Sequence, residues 1–232
     1  METSETLPHN DERKADCPAP AHGRFAAGED PVKREQILDG AHTVFMAQGF
    51  DAASMNDIVR EAGVSKGTLY VYFENKEQLF SALIARERDR FATFMRDAVA
   101  RYDRIEDALL HYGNALVLHL CSQSTICAMR SVIAVADRMP GLTRGFFQSA
   151  PATIRTVLKD LIDREAAKGT LMVEDSDLAA RQFIELCSGT FFKFRLFGEM
   201  GEAPPPQETD YVVREAIKMF MLRYGAPNAA KR

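Results

Sequence analysis

The stretch "EAGVSKGTLYVYFENKEQLF", Glu61 to Phe80, sets two tyrosines and a lysine around a turn too short to bury much. Gly63 stops a preceding helix and Ser65 can cap a new one, so "SKGTLYVYF" reads as a short helix. At about 100° per residue, with Leu69 at zero, Phe73 falls near 40° and Tyr72 near −60°. These pack inward with Val64, Tyr72 only halfway. Gly67 and Val71 then point away from the core, flanked by Thr68 and Tyr70 at about −100° and +100°. The outward face offers Lys66 at its N-terminal edge, a glycine, a threonine hydroxyl, a valine and a tyrosine ring. Such a face is meant for something other than the protein's own core.

The flanks say what surrounds it. "PVKREQILDGAHTVFMAQGF" opens with Pro31 in a first turn, and places Ile37, Ala41, Val44, Phe45 and Gln48 on one stripe. Gly49 is expected to end that helix in a left-handed conformation. "SMNDIVREAG" follows, with Ser54 as cap and Asp57 three residues on as a capping-box-like partner. "NKEQLFSALIARERDRFATFMRDAVARY" is a long helix capped by Asn75, with Gln78 three residues later. Helix, tight glycine-containing turn, helix is the general signature of a DNA-binding helix-turn-helix. A surface turn with incidental tyrosines fits the same spacing.

The outward face suits a major groove. A residue without a side chain allows close approach, and Val71 or Tyr70 can touch thymine methyl groups. Lys66 can donate to guanine O6 and N7. Ser54 lies beside free backbone N–H groups at a helix start, a natural phosphate site. Lys76 heads the long helix, where its charge can meet the phosphate across the groove.

Beyond about residue 104, five more helices are expected, including "DSDLAARQFIELCSGTFFKFRLFG" and "TDYVVREAIKMFMLRYG", with a kink near Pro151 in the one before them. With no strand pattern and no internal repeat, the chain reads as all-α, with about nine helices in total. No run of about eighteen apolar residues exists to span a membrane. Residues 1–30 hold seven acids against three bases, which accounts for the whole formal charge of −4, and read as a disordered acidic tail. Residues 225–232 read as a second tail. The neutral remainder neither proves nor excludes a basic face. Cys17, Cys121, Cys127 and Cys187 show no ligand spacing, so they read as small hydrophobes in a reducing, cytoplasmic setting.

"ILDGAHTVFMAQGFDAASMNDIVREAGVSKGTLYVYFENKEQLFSALI" resembles, without a visible gap over roughly residues 33–84, the N-terminal DNA-binding domain of the TetR/AcrR family of transcriptional regulators. The resemblance implies that Lys66, Gly67, Tyr70 and Val71 approach bases, and that Ser54, Thr68, Tyr72 and Lys76 mostly hold phosphates. Tyr72, half-inward on the helical wheel, meets both demands if its ring is half buried and its hydroxyl reaches the backbone. The expected division is a helix-turn-helix domain over 31–78 and an effector-binding and dimerisation domain over 79–224. "MRSVIAVADRMPGLTRGFFQSAPATI" more weakly resembles an AefR-like subgroup.

The helices around 177–197 and 209–224 are apolar nearly all round, so they need cover on two sides. A two-fold dimer built on them supplies it, and two reading heads on a palindromic double-stranded DNA operator double the contacts. The resemblance further implies a small-molecule effector pocket, with His111, Met129, Phe146, Phe147, Phe183, Cys187 and Phe191 as candidates. The expected function is a homodimeric repressor released by an apolar or amphipathic ligand. Neither a catalytic motif (GxSxG, P-loop, GxGxxG, HExxH) nor a metal or cofactor site is visible. The rival readings are an enzyme and a helical ligand-binding adaptor with a degenerate DNA head.

Overall fold

The computed structural model describes residues 26–138, 141 and 153–227. Most of the acidic N-terminal stretch, Phe146, Phe147, the expected kink near Pro151 and residues 228–232 lie outside them. Ten helices are described: α1 (Pro31–Ala52), α2 (Met55–Ala62), α3 (Lys66–Tyr72), α4 (Lys76–Val99), α5 (Ile105–Leu120), α6 (Gln123–Val135), α7 (Ile154–Ala167), α8 (Ser176–Ser188), α9 (Phe192–Phe197) and α10 (Pro206–Tyr224). Among the described residues, extended backbone pairs only once, Leu171 with Gly225. The all-α class holds.

Local chemistry sets the boundaries. Ser54, Ser65 and Asn75 each accept a hydrogen bond from the backbone N–H three residues on, starting α2, α3 and α4. Gly63 takes φ 62°, which lets the chain leave α2 and enter α3 within a few residues. Gly49 departs from its expected role. With φ 77° and ψ 173° it kinks α1 rather than ending it, and a further turn runs on to Ala52. That turn carries Phe50 into the core against Phe45 and Phe80, while Gln48 of the expected stripe faces solvent.

Two apolar cores organise the chain. The first joins Ile37, Leu38 and Phe45 of α1 to Ile58, Leu69, Phe73, Leu79, Phe80 and Leu83. The second joins Met95 of α4 to Leu109, Tyr112 and Leu116 of α5, Leu158 and Leu161 of α7, Phe183 of α8 and Phe220 of α10. Each such side chain contributes about 1.5–3 kcal/mol by burial, so both cores are substantial. One continuous helix, α4, serves both cores, and the division expected after residue 78 falls inside it. Val132 and Val135 of α6 also belong to the first core, which wedges the larger domain into the smaller one.

The helix expected over 177–197 is two helices. The chain breaks between Ser188 and Phe192, where Phe191 turns fully inward. The break lets α9 swing Arg195 under the α5–α6 turn, where its guanidinium donates to the carbonyls of Cys121, Met200 and Gly201 and to Gln123 Oε1. The last helix, α10, is also more one-sided than expected. Val213, Ala216, Ile217 and Phe220 are buried, while Tyr211, Met219 and Leu222 are exposed.

Candidate nucleic-acid interface and the cavity behind it

In α3 the inward set is as the spacing requires: Leu69 and Phe73 are buried and Tyr72 is half-buried. Lys66 and Gly67 are exposed, Tyr70 and Val71 are 43% and 54% exposed, and Thr68 is half-exposed. Lys66 Nζ lies 5.9 Å from the Tyr70 ring centre, so the cation and the ring form one projecting edge. A Cβ added at Gly67 would meet nothing nearer than Ser65 Oγ at 3.8 Å. The glycine is therefore not required by packing inside the chain.

The residues around α3 do structural work that the sequence did not show. The Tyr72 hydroxyl donates to Asp30 O and accepts from Asp30 N, both at 3.2 Å, tying α3 to the start of α1. Lys76 Nζ donates to the carbonyls of Phe50 (2.7 Å), Asp51 (3.2 Å) and Ala53 (2.9 Å), closing the end of α1, and sits over the Phe50 ring. The Ser54 hydroxyl donates to Asp57 Oδ2 at 2.6 Å, and that bond leads the causes holding the Asp57 carboxyl below the usual range. Thr68 Oγ1 lies 2.8 Å from Ser65 Oγ. Gln36 Nε2 donates to Ala62 O, closing α2. The polar tips of Tyr72 and Lys76 thus have partners within the chain, so both residues serve as scaffolding for the module.

Behind this module lies a cavity of about 450 Å³, at the seam of the two cores. His42 and Met46 of α1 and Leu83, Ile84, Glu87, Arg88 and Phe91 of α4 form its near side; His119, Leu120, Met129 and Ile154 are on the far side. Of the expected pocket residues that the structure describes, only Met129 lines it. Phe183, Cys187 and Phe191 are completely buried in the second core, and burial pushes the Cys187 thiol up to about 12. His111 faces Tyr102 instead. Phe146 and Phe147 lie outside the described residues. Sequence reasoning missed Phe91 and His119 as a pair: their rings stack with centroids 3.6 Å apart and planes 8° from parallel. Their numbers are too far apart for any local pattern to join them.

Residues 37–83 match the model of the bacterial regulatory proteins of the tetR family, and residues 107–226 match the C-terminal domain of AefR-like transcriptional repressors. The chain belongs to the TetR family. It is a TetR-family transcriptional regulator with a helix-turn-helix DNA-binding domain. The HTH-type transcriptional regulator YdgC of Bacillus subtilis (strain 168) is 28% identical over 142 residues, 59% of this chain and 67% of YdgC. YfiR of the same organism is 40% identical over 52 residues, only 22% of this chain and 25% of YfiR. In fold, the chain is similar to a TetR-family transcriptional regulator from Mesorhizobium loti MAFF303099, with TM-score 0.78, 22% identity, and 85% of this chain and 99% of that one covered. It is also similar to the flavonoid-responsive regulator FrrA, with TM-score 0.66, 24% identity and 84% and 98% coverage. Among the described residues no single helix is long and apolar enough to cross a membrane.

Proposed function

We propose that this chain is a homodimeric, cytoplasmic repressor that reads a palindromic operator with α3 and lets go when a small molecule fills the seam cavity. The observation that carries the reading is the division of α3: one face buried in the first core, the other an exposed surface of Lys66, Gly67, Tyr70 and Val71. Those residues approach bases, while Ser54 and Thr68 lie where the phosphate backbone passes. Repression agrees with the description of the family matched over residues 107–226. Ligand response is in keeping with FrrA, which is flavonoid-responsive.

Dimerisation rests on α8 and α10. Leu178, Tyr211, Met219 and Leu222 are exposed there, beside an open groove lined by Ile184, Leu186 and Met219. A second copy covers that surface and sets two α3 helices at one spacing, which is the geometric filter of a palindrome.

Release follows from where the cavity sits. Its walls include α1 and α4 on the DNA side and α5, α6 and α7 on the other. The same α6 that presents Met129 to the cavity drives Val132 and Val135 into the first core, and beyond its end Arg138 pairs with Asp51 at 3.0 Å. A ligand shifts the equilibrium only by its preference for the conformation that cannot span the operator. The test is fluorescence anisotropy on operator fragments selected from random duplexes, with the Gly67→Ala variant alongside. Equal binding of wild type and variant to every duplex would refute the reading.

A further inference from the structure

We propose that the seam cavity takes a neutral aromatic molecule carrying one hydrogen-bonding group, and that His119, laid flat on Phe91, reads that group. The inference rests on the ligand-release reading above and adds the chemistry of the ligand. Met46, Leu83, Ile84, Leu120, Met129 and Ile154 make the wall mostly apolar, and the methionines adapt to a flat guest. Its volume lies within the roughly 300–1,000 Å³ usual for small-molecule sites.

Charge is balanced around this wall. Three formally charged residues line it, Glu87 and Arg88 of α4 and Arg155 of α7. Each already has an opposite charge nearby: Arg86 at 2.8 Å from Glu87, Asp89 at 3.8 Å from Arg88 and Asp177 at 3.3 Å from Arg155. An anionic or cationic guest must break one of these pairs or enter without a counter-charge, and a desolvated, uncompensated charge is costly. A neutral guest does neither.

His119 supplies the polar contact. Burial pushes its pKa below the ordinary imidazole value, with the nearby Glu87 charge opposing, so the ring is neutral at physiological pH. His42 faces the cavity from α1, and Glu87, Arg88 and Arg155 are the other titratable or charged groups at its wall. A neutral imidazole offers one donor and one acceptor, and neither ring nitrogen has a hydrogen-bond partner among the described residues. With Phe91 the ring forms a flat platform that an aromatic guest can extend.

The test is calorimetry on the full chain near neutral pH with 1-naphthol, 1-naphthoate and naphthalene, which share one carbon frame. Wild type should bind 1-naphthol at least about tenfold tighter than either other probe, the worth of one hydrogen bond to a desolvated group. His119→Phe, which keeps a stacked ring, should bind naphthalene as before and lose the naphthol advantage. Should that variant not fold, His119→Leu serves the same comparison. Met129→Trp, which fills the cavity, should abolish binding of all three. Tighter binding of 1-naphthoate, a naphthol advantage that survives loss of the imidazole, or no binding of any probe would overturn the proposal. DNA release is scored separately. Naphthol that binds as expected but leaves the operator occupied defeats the release reading and not this one, whereas naphthol that frees the operator without needing His119 does the reverse.

Discussion

Gly67 and Lys76 lie nine residues apart, and their substitutions should separate reading from scaffolding. Gly67→Ala places a methyl group in open space on a helix, so the melting temperature should hold or rise slightly. Operator affinity should fall at least about tenfold, because close approach to a base edge is lost; anisotropy and thermal melting together check this. Lys76→Ala leaves three carbonyls at the end of α1 without their cation, and should destabilise the protein by about 1–3 kcal/mol in urea unfolding. The salt slope of DNA binding should stay unchanged, since the ammonium already has partners. The caps at Ser54, Ser65 and Asn75 were legible because their acceptors and donors lie three residues apart. The jobs of Tyr72 and Lys76 were not, because their partners lie far off in sequence at Asp30, Phe50 and Ala53.

His119 sets a pH dependence of its own. Its folded pKa lies below the unfolded value, so the unfolded chain binds protons more readily. The contribution to stability is whole above the ordinary imidazole range and drains away as pH falls through that range to the lowered folded value. The melting temperature should therefore drop faster with acidification in wild type than in His119→Phe over that window. Parallel melting curves for the two would remove the assignment.

Between elements, α1 and α2 cross where Gly40 meets Ala62. A Cβ at Gly40 would lie 2.7 Å from both the Cβ and the backbone N of Ala62, and backbone cannot yield as a flexible side-chain end does. Gly40→Ala should cost about 1–3 kcal/mol by overpacking, read by urea unfolding, and should weaken DNA binding through the displaced α2. The period of each helix was written in its apolar residues, but the break between α8 and α9 was not. Apolar residues run straight across it, and it is Arg195, reaching two acceptors at the distant α5–α6 turn and two in the loop that follows α9, that rewards the bend.

For the whole molecule, the exposed side of α10 is the decisive surface. Leu222 is 89% exposed, so Leu222→Glu should leave the fold of one chain intact while carrying a charge into the proposed contact with a second copy. Sedimentation should then show monomers where wild type shows dimers, and affinity for a two-half-site operator should collapse while that for a single half-site is unchanged. A dimer that survives the substitution would place the contact elsewhere.

Helix periods, caps and the two-faced character of α3 follow from the residues themselves, because backbone geometry turns spacing along the chain into direction around an axis. So does membership of a family whose reading helix carries the same pattern. Tertiary structure decided the rest: which polar tips are free and which hold carbonyls, where α4 passes from one core to the other, and where space is left between them. A cavity is the volume that six helices fail to fill, and its wall meets residues as distant as Met46 and Phe192. No spacing along one chain encodes such a void, because its shape depends on how every surrounding element packs.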